Sequence, residues 1–376
     1  MKKKNITFLE IKNFLKKKGF VISKKQNNFL QDKSVGILSR TLLSSIIIIF
    51  TFFILPIIVD FKNQKIFLSK EFKNNSKNNF KDVLNNKELK KPSKIDQDLI
   101  EKYVFEDVFK YDDLPIDYVR LSAATIEQLF KDTNYDLEDV RKKKLVKPVS
   151  LSLLPNEMKM ITSTSKRKEL FIKIILPLII KENNNIRIDR KKLFSILNKN
   201  NNTDVERNWL GRKFKQYGVS NKDLSTLKIR MDEIPTSMAI AQAAKETGWG
   251  TSRFAQEGNA LFGQWTWSGE GIRPAGAKED STHKVMKFKV LQASVRAYHR
   301  NLNTHSSYRE FRSARAELRD KGKKLDSIIL CKYLDKYAET GEKYVEILKQ
   351  IIRQNKLTDF DNAKLLPSSI ELESLI

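Results

Sequence analysis

Apolar residues fall into three patterns along this chain, and each predicts a different element. The first is the unbroken run at 41–59, TLLSSIIIIFTFFILPIIV, which contains no charged residue. It is long enough to cross a bilayer and predicts a single transmembrane helix. The second run, LFIKIILPLII at 170–180, is too short to span and is interrupted by Lys173, so it predicts a buried helix kinked at Pro177. The third pattern is helical spacing. Phe8, Ile11 and Leu15 fit either a short amphipathic helix on an anionic leaflet or a disordered basic tail. Ile126, Leu129 and Phe130 mark one of several short helices in 95–140, and further amphipathic helices are predicted near 190–197 and 204–217. Between these lie polar stretches. Residues 60–94, dominated by Asn and Lys after the first few positions, predict a flexible linker, and RKKKLVKP at 141–148 reads as a boundary loop. HKVMKFKV at 283–290 has the branched and aromatic content of a strand, expected as one arm of a hairpin beside a cleft.

Charge sharpens this outline. The 376 residues carry a formal net charge of +26, which favours anionic partners such as a nucleic acid, an acidic membrane surface or a wall polymer. The Lys residues are spread through linkers and helices, without zinc-finger spacing or an RNA-binding aromatic signature, so nucleic acid is not the expected partner. The denser positive flank precedes residue 41, which places the N-terminus in the cytoplasm and the rest of the chain outside it. An uncleaved anchor is expected, because the preceding region is far longer than a signal-peptide n-region. The three histidines, His283, His299 and His305, form no metal-binding pair, and Cys331 in SIILCKYL reads as a buried small hydrophobe. Neither a metal nor an organic cofactor is expected.

The stretch 234–265, IPTSMAIAQAAKETGWGTSRFAQEGNALFGQW, is where the chemistry concentrates. Pro235 suits the first position of a helix and Gly248 its left-handed end. Glu246 therefore falls in the last turn, at the negative end of the helix dipole and close to Trp249. A carboxyl group so placed resists ionisation, as a general acid working near neutral pH must. For an arbitrary Glu, a solvated helix face is the ordinary reading.

The wording of the stretch resembles the bacterial glucosaminidase family of peptidoglycan hydrolases, in its Bax-type branch. Glu246, Thr247, Gly248, Trp249 and Gly250 match the family's catalytic Glu motif. Asn259, Leu261, Phe262 and Gly263 match its N-x-LFG turn, where Ala260 replaces the expected Asn. SVRAYHRNLNTHSSYREFR at 294–312 and KYAETGEKYVEIL at 336–348 extend the resemblance over roughly the last 150 residues. It implies a mainly α protein: a lysozyme-like α+β catalytic domain with a small β-hairpin lobe, preceded by a helical region and one transmembrane helix. The expected organisation is 1–40 basic segment, 41–59 anchor, 60–94 linker, 95–224 helical accessory region, 225–358 catalytic domain and 359–376 tail.

The resemblance also implies the activity, an endo-β-N-acetylglucosaminidase cutting the β-1,4 bond after N-acetylglucosamine in peptidoglycan glycan strands. Glu246 is the implied acid. Glycosidases usually pair two carboxyl groups, and Glu270, with Glu279 and Asp280 behind it, lies where the family sometimes keeps the second. Alternatively, the substrate's own acetamido group attacks. Tyr337 aligns with a Tyr the family places near the acid, whereas Tyr344 reads as packing. Trp265 and Trp267 are candidates for lining a sugar groove. Thr247, Trp249, Asn259 and Phe262 complete the expected substrate-binding set, Trp249 in a mainly structural role. Two rivals remain at this level: a muramidase or lytic transglycosylase, and a non-catalytic wall-binding protein.

Overall fold

The computed structural model describes residues 104, 105, 108, 119–266, 271–273 and 284–367. The anchor segment 41–59, the basic N-terminus, the linker, Trp267, Glu270, Glu279, Asp280 and His283 lie outside them. The chain divides into two units, Met1–Phe80 and Lys81–Ile376, and every described residue belongs to the second. Among the described residues no helix is long and apolar enough to cross a membrane.

The described part is mainly helical with little sheet. Helices α1 (Ala123–Asp132) and α2 (Leu137–Lys143) lead to the two-residue strand β1 (Leu145–Val146). A 34-residue helix, α3 (Thr164–Leu197), follows, then α4 (Asp204–Gln216) and α5 (Leu224–Arg230). Next come α6 (Thr236–Thr247), α7 (Arg253–Gly258) and the strands β2 (Trp265–Thr266), β3 (Gly271–Ile272) and β4 (Lys284–Met286). The chain continues through α8 (Leu291–Thr304), α9 (Arg309–Asp320), α10 (Ser327–Cys331), α11 (Glu342–Gln354) and β5 (Lys364–Leu365).

Helix α3 joins what the sequence pattern separates. Its apolar run is buried at every position of 170–180 except Lys173, which reaches Glu169 at 2.6 Å. The expected buried helix is therefore present, with Pro177 inside it, but it does not end at Ile180. It runs on to Leu197 and absorbs the separate helix predicted at 190–197. Interior Pro costs about 3 kcal/mol of helix stability, and packing on all sides of this half outweighs it. Past Ile180 the helix turns polar, keeping Ile186, Leu193 and Ile196 for a second, smaller core with Trp209, Phe214, Tyr217 and Leu227.

The main core disregards the expected boundary at 224/225. Ile126 and Phe130 of α1 and Ile174, Ile175 and Ile179 of α3 share one apolar cluster with Met238 and Ala241 of α6, Tyr298 of α8 and Leu348 of α11. The accessory and catalytic segments are thus one packed body, because α6 is apolar on several sides and needs α3 to cover it. Contacts also cross the flanking stretches. The 141–148 stretch is no spacer: β1 pairs in parallel with β5 through Leu145 and Lys364, and Arg141 donates to the Lys356 carbonyl at 2.6 Å. The expected C-terminal tail likewise contributes Phe360 and Ala363 to the core.

The small sheet has the order β2–β4–β3, all antiparallel, with Trp265 opposite Val285 and Gly271 opposite Met286. The strand predicted at 283–290 is shorter than expected and central rather than one arm of a hairpin.

Charge is buried as well. Asp232 is 2% exposed and sits among Arg190 of α3 and Arg315 and Arg319 of α9, at 3.8, 3.8 and 3.0 Å. Those guanidinium groups hold its carboxyl far below the usual range against the opposing effect of burial. Arg315, completely buried, also donates to the carbonyls of Ile229, Asp232 and Glu233. The cluster ties both cores to α9.

Candidate active site

Helix α6 carries the acid, and both of its ends are fixed from outside. At the start, Pro235 is the cap residue rather than the first helical one. The Asp361 carboxylate accepts from the Ser237 N–H and hydroxyl, both at 2.8 Å, which places an anion where the helix dipole favours it. At the other end Gly248 takes the left-handed conformation expected of it (φ 57°). Trp249 (φ 61°) and Gly250 (φ 84°) continue that sharp turn. A Cβ on Gly250 would meet Phe171 at 3.0 Å and Met158 at 3.1 Å, so the second glycine permits the turn to press on α3.

Glu246, in the last turn, is half-buried. Its Oε1 accepts from the Tyr344 hydroxyl at 2.8 Å. Its Oε2 faces the backbone of Gly263, where an added Cβ would lie 3.2 Å away. Burial pushes the carboxyl above its ordinary pKa, and the Tyr344 hydrogen bond and the Lys245 charge only partly reverse this. The acid is thus protonated to higher pH than a surface Glu, as a proton donor requires.

The aromatic surroundings differ from the expected indole. Trp249 sits edge-on to Phe171 at 5.9 Å with Lys168 over its ring, so it fastens the turn to α3. The rings associated with Glu246 are phenols. Tyr337 and Tyr344 stack 5.6 Å apart with their planes 6° from parallel, and Tyr308 lies 5.9 Å from Tyr337. Burial first, then the Glu246 carboxylate among nearby groups, makes all three phenols harder to ionise, Tyr308 to about 12.

Both tyrosines of the 336–348 motif lie near Glu246, but their hydroxyls bond differently. Tyr344, read from the sequence as packing, is the one that bonds Glu246. Tyr337 instead donates to the Phe262 carbonyl at 2.8 Å and so clamps the N-x-LFG turn. The reason is local. Tyr337 ends an irregular 3-10 segment (Lys332–Tyr337), whereas Tyr344 lies in the first turn of α11, which packs on α6.

Three expected substrate-binding residues are structural. The Thr247 hydroxyl donates to the Ala243 carbonyl at 2.6 Å and accepts from the Gly250 N–H at 2.9 Å. The Asn259 amide donates to the Phe288 carbonyl at 2.8 Å from a left-handed cap position. Phe262 is buried and stacked on Tyr298 at 3.9 Å. Ala260, where the motif's usual Asn is missing, leaves the turn pinned, since the Leu261 N–H donates to Ser294 Oγ and Asn259 holds from its own side. Trp265 is 44% exposed at the start of β2. Cys331 is buried, with its thiol pushed up to about 12, as an inert hydrophobe should be.

Comparison with known proteins bears on this arrangement. The family model Glucosaminidase, described as mannosyl-glycoprotein endo-beta-N-acetylglucosaminidase, matches residues 223–357. Protein bax of Escherichia coli (strain K12) is 32% identical over 211 residues, covering 54% of this chain and 75% of that protein. The chain belongs to the bacterial glucosaminidase family, in its Bax-type branch. No solved structure matches it. The glucosaminidase match includes Glu246, Gly263, Tyr308, Tyr337 and Tyr344, and it marks residues 223–357 as a glycosidase domain. Helix α3, which covers α6, lies before the match begins.

Proposed function

We propose that this chain is a peptidoglycan hydrolase of lysozyme-like fold, an endo-β-N-acetylglucosaminidase cutting the β-1,4 bond after N-acetylglucosamine. The observation that carries this reading is Glu246, a half-buried carboxyl with raised pKa at a helix end, held by the Tyr344 hydroxyl. Its acid form protonates the leaving glycosidic oxygen as oxocarbenium character grows on the sugar. The second participant is the substrate's own acetamido group or Glu270. Segment 41–59 anchors the enzyme in the cytoplasmic membrane, with its catalytic body facing the wall and glycan strands as partner.

The test is mass spectrometry of purified sacculi digested by the full-length protein in detergent. New reducing ends of N-acetylglucosamine are expected. Anhydro-muramic or reducing muramic ends would replace this cleavage site with another, and uncut strands would leave only binding. Within this reading Gly263→Ala is expected to cut turnover roughly 10- to 100-fold, because a small misplacement of the reacting groups is costly. The new methyl group presses on Oε2, and left-handed backbone costs a non-Gly residue about 1–2 kcal/mol. Turnover at the wild-type level in the folded variant would show that the close approach is unimportant.

A further inference from the structure

A chain of hydrogen bonds runs between the core and the acid, and every donor along it points towards Glu246. The Tyr298 hydroxyl, wholly buried on α8, donates to Gln242 Oε1 at 2.7 Å. Gln242, also wholly buried, lies one helical turn before Glu246. Its Nε2 donates to the Tyr344 hydroxyl at 3.1 Å, and that hydroxyl donates to Glu246 Oε1 at 2.8 Å. An amide has one acceptor end and one donor end, and a phenol has a single proton. With the acceptor end of Gln242 occupied by Tyr298, its donor end must face Tyr344. The proton of Tyr344 then has only Glu246 to go to.

This restricts where the acid can keep its own proton. An oxygen that accepts from Tyr344 serves as the carbonyl oxygen of the neutral carboxyl group. We propose that Gln242, oriented by Tyr298, is a positioning residue that fixes the direction of the Tyr344 hydroxyl and so confines the acid proton of Glu246 to Oε2. Oε2 is the oxygen beside Gly263, while Oε1 points into the wire. Without this polarity Tyr344 can turn its proton away and accept from a proton on Oε1, where it is withheld from a substrate. The inference rests on Glu246 being the general acid.

The wire also sets a direction of titration. Tyr344, forced to donate, favours the carboxylate; once free to accept, it favours the neutral acid as well, so the Glu246 pKa rises. The groups that sense Glu246 are Lys245 on its own helix, Tyr344 on α11, Tyr337 in the 3-10 segment before it and Tyr308 after α8. All four side chains are kept when position 242 or 298 is substituted, and what changes is the hydrogen bonding of Tyr344.

The test uses the full-length protein with Tyr298→Phe and Gln242→Met. Tyr298→Phe keeps the ring that stacks on Phe262 and removes one hydroxyl two links from the acid. Glutamate labelled with 13C at the side-chain carboxyl reports the Glu246 titration, its signal assigned by its loss in Glu246→Gln. Both variants are expected to titrate Glu246 at higher pH than wild type, with kcat on sacculi reduced roughly tenfold and KM little changed. Unchanged Glu246 titration in the folded Tyr298→Phe variant would overturn the proposal, even if turnover dropped, because a merely structural hydroxyl would not move that carboxyl. Failure of the general-acid reading is separately visible: Glu246→Gln would then keep wild-type turnover whatever the titration shows.

Discussion

Glu246→Gln is expected to lower turnover on sacculi by about 10²- to 10⁴-fold, the usual contribution of a positioned general acid, while raising stability at neutral pH. The two effects share one cause. Burial raises the folded-state pKa of Glu246 above its unfolded value. Between those values the folded protein keeps a proton that the unfolded chain has released, so its stability falls as pH rises through the window. Glutamine has no proton to lose, and its amide oxygen can still accept from Tyr344. The melting difference between variant and wild type should therefore be small below pH 4 and grow as pH is raised through the folded pKa. A variant that melts like wild type at every pH would show that the carboxyl carries no burial penalty. One that digests sacculi at the wild-type rate would remove Glu246 from the mechanism.

The largest stability effect is expected far from the chemistry. Asp232→Asn changes hardly any volume yet leaves Arg190 and Arg315 without their carboxylate, and Arg319 with Glu233 alone. Breaking a buried ion cluster from one side costs about 3–5 kcal/mol, a large share of the roughly 5–15 kcal/mol that holds a domain folded. Denaturant unfolding measures it. A loss under about 1 kcal/mol, on the scale of exposed ion pairs, would mean that water or Glu233 carries the arginines. Because the arginines depress the Asp232 pKa, its contribution is complete above the unfolded value. It is lost as pH falls towards the folded pKa, so the variant's deficit should shrink only in strong acid.

Residues whose role depends on one helix were readable in the sequence. The end of α6, the left-handed Gly248, the buried run in α3 and the placement of Glu246 in the last turn follow from local pattern and the family motif. Residues whose role depends on packing across the chain were not. Tyr337 and Tyr344 belong to one short motif, and only the docking of α11 on α6 decides which hydroxyl reaches the carboxyl. Thr247, Asn259 and Phe262 carry the motif because they build the turn, which identity alone does not separate from touching a sugar. The polar side chains at 232 and 242 look like ordinary surface residues until the arginines and phenols close over them. One hint of the buried cluster was present, the Arg at 315 and 319, one helical turn apart in an otherwise polar stretch.

The bond from Tyr344 to Glu246 spans 98 positions of chain. During synthesis the acid is made long before the phenol that holds it, and until then it is a plain, water-covered glutamate. If Glu246 acts as the proposed acid, hydrolytic competence would arrive only when α11 docks on α6, and an unfinished chain would not yet carry it.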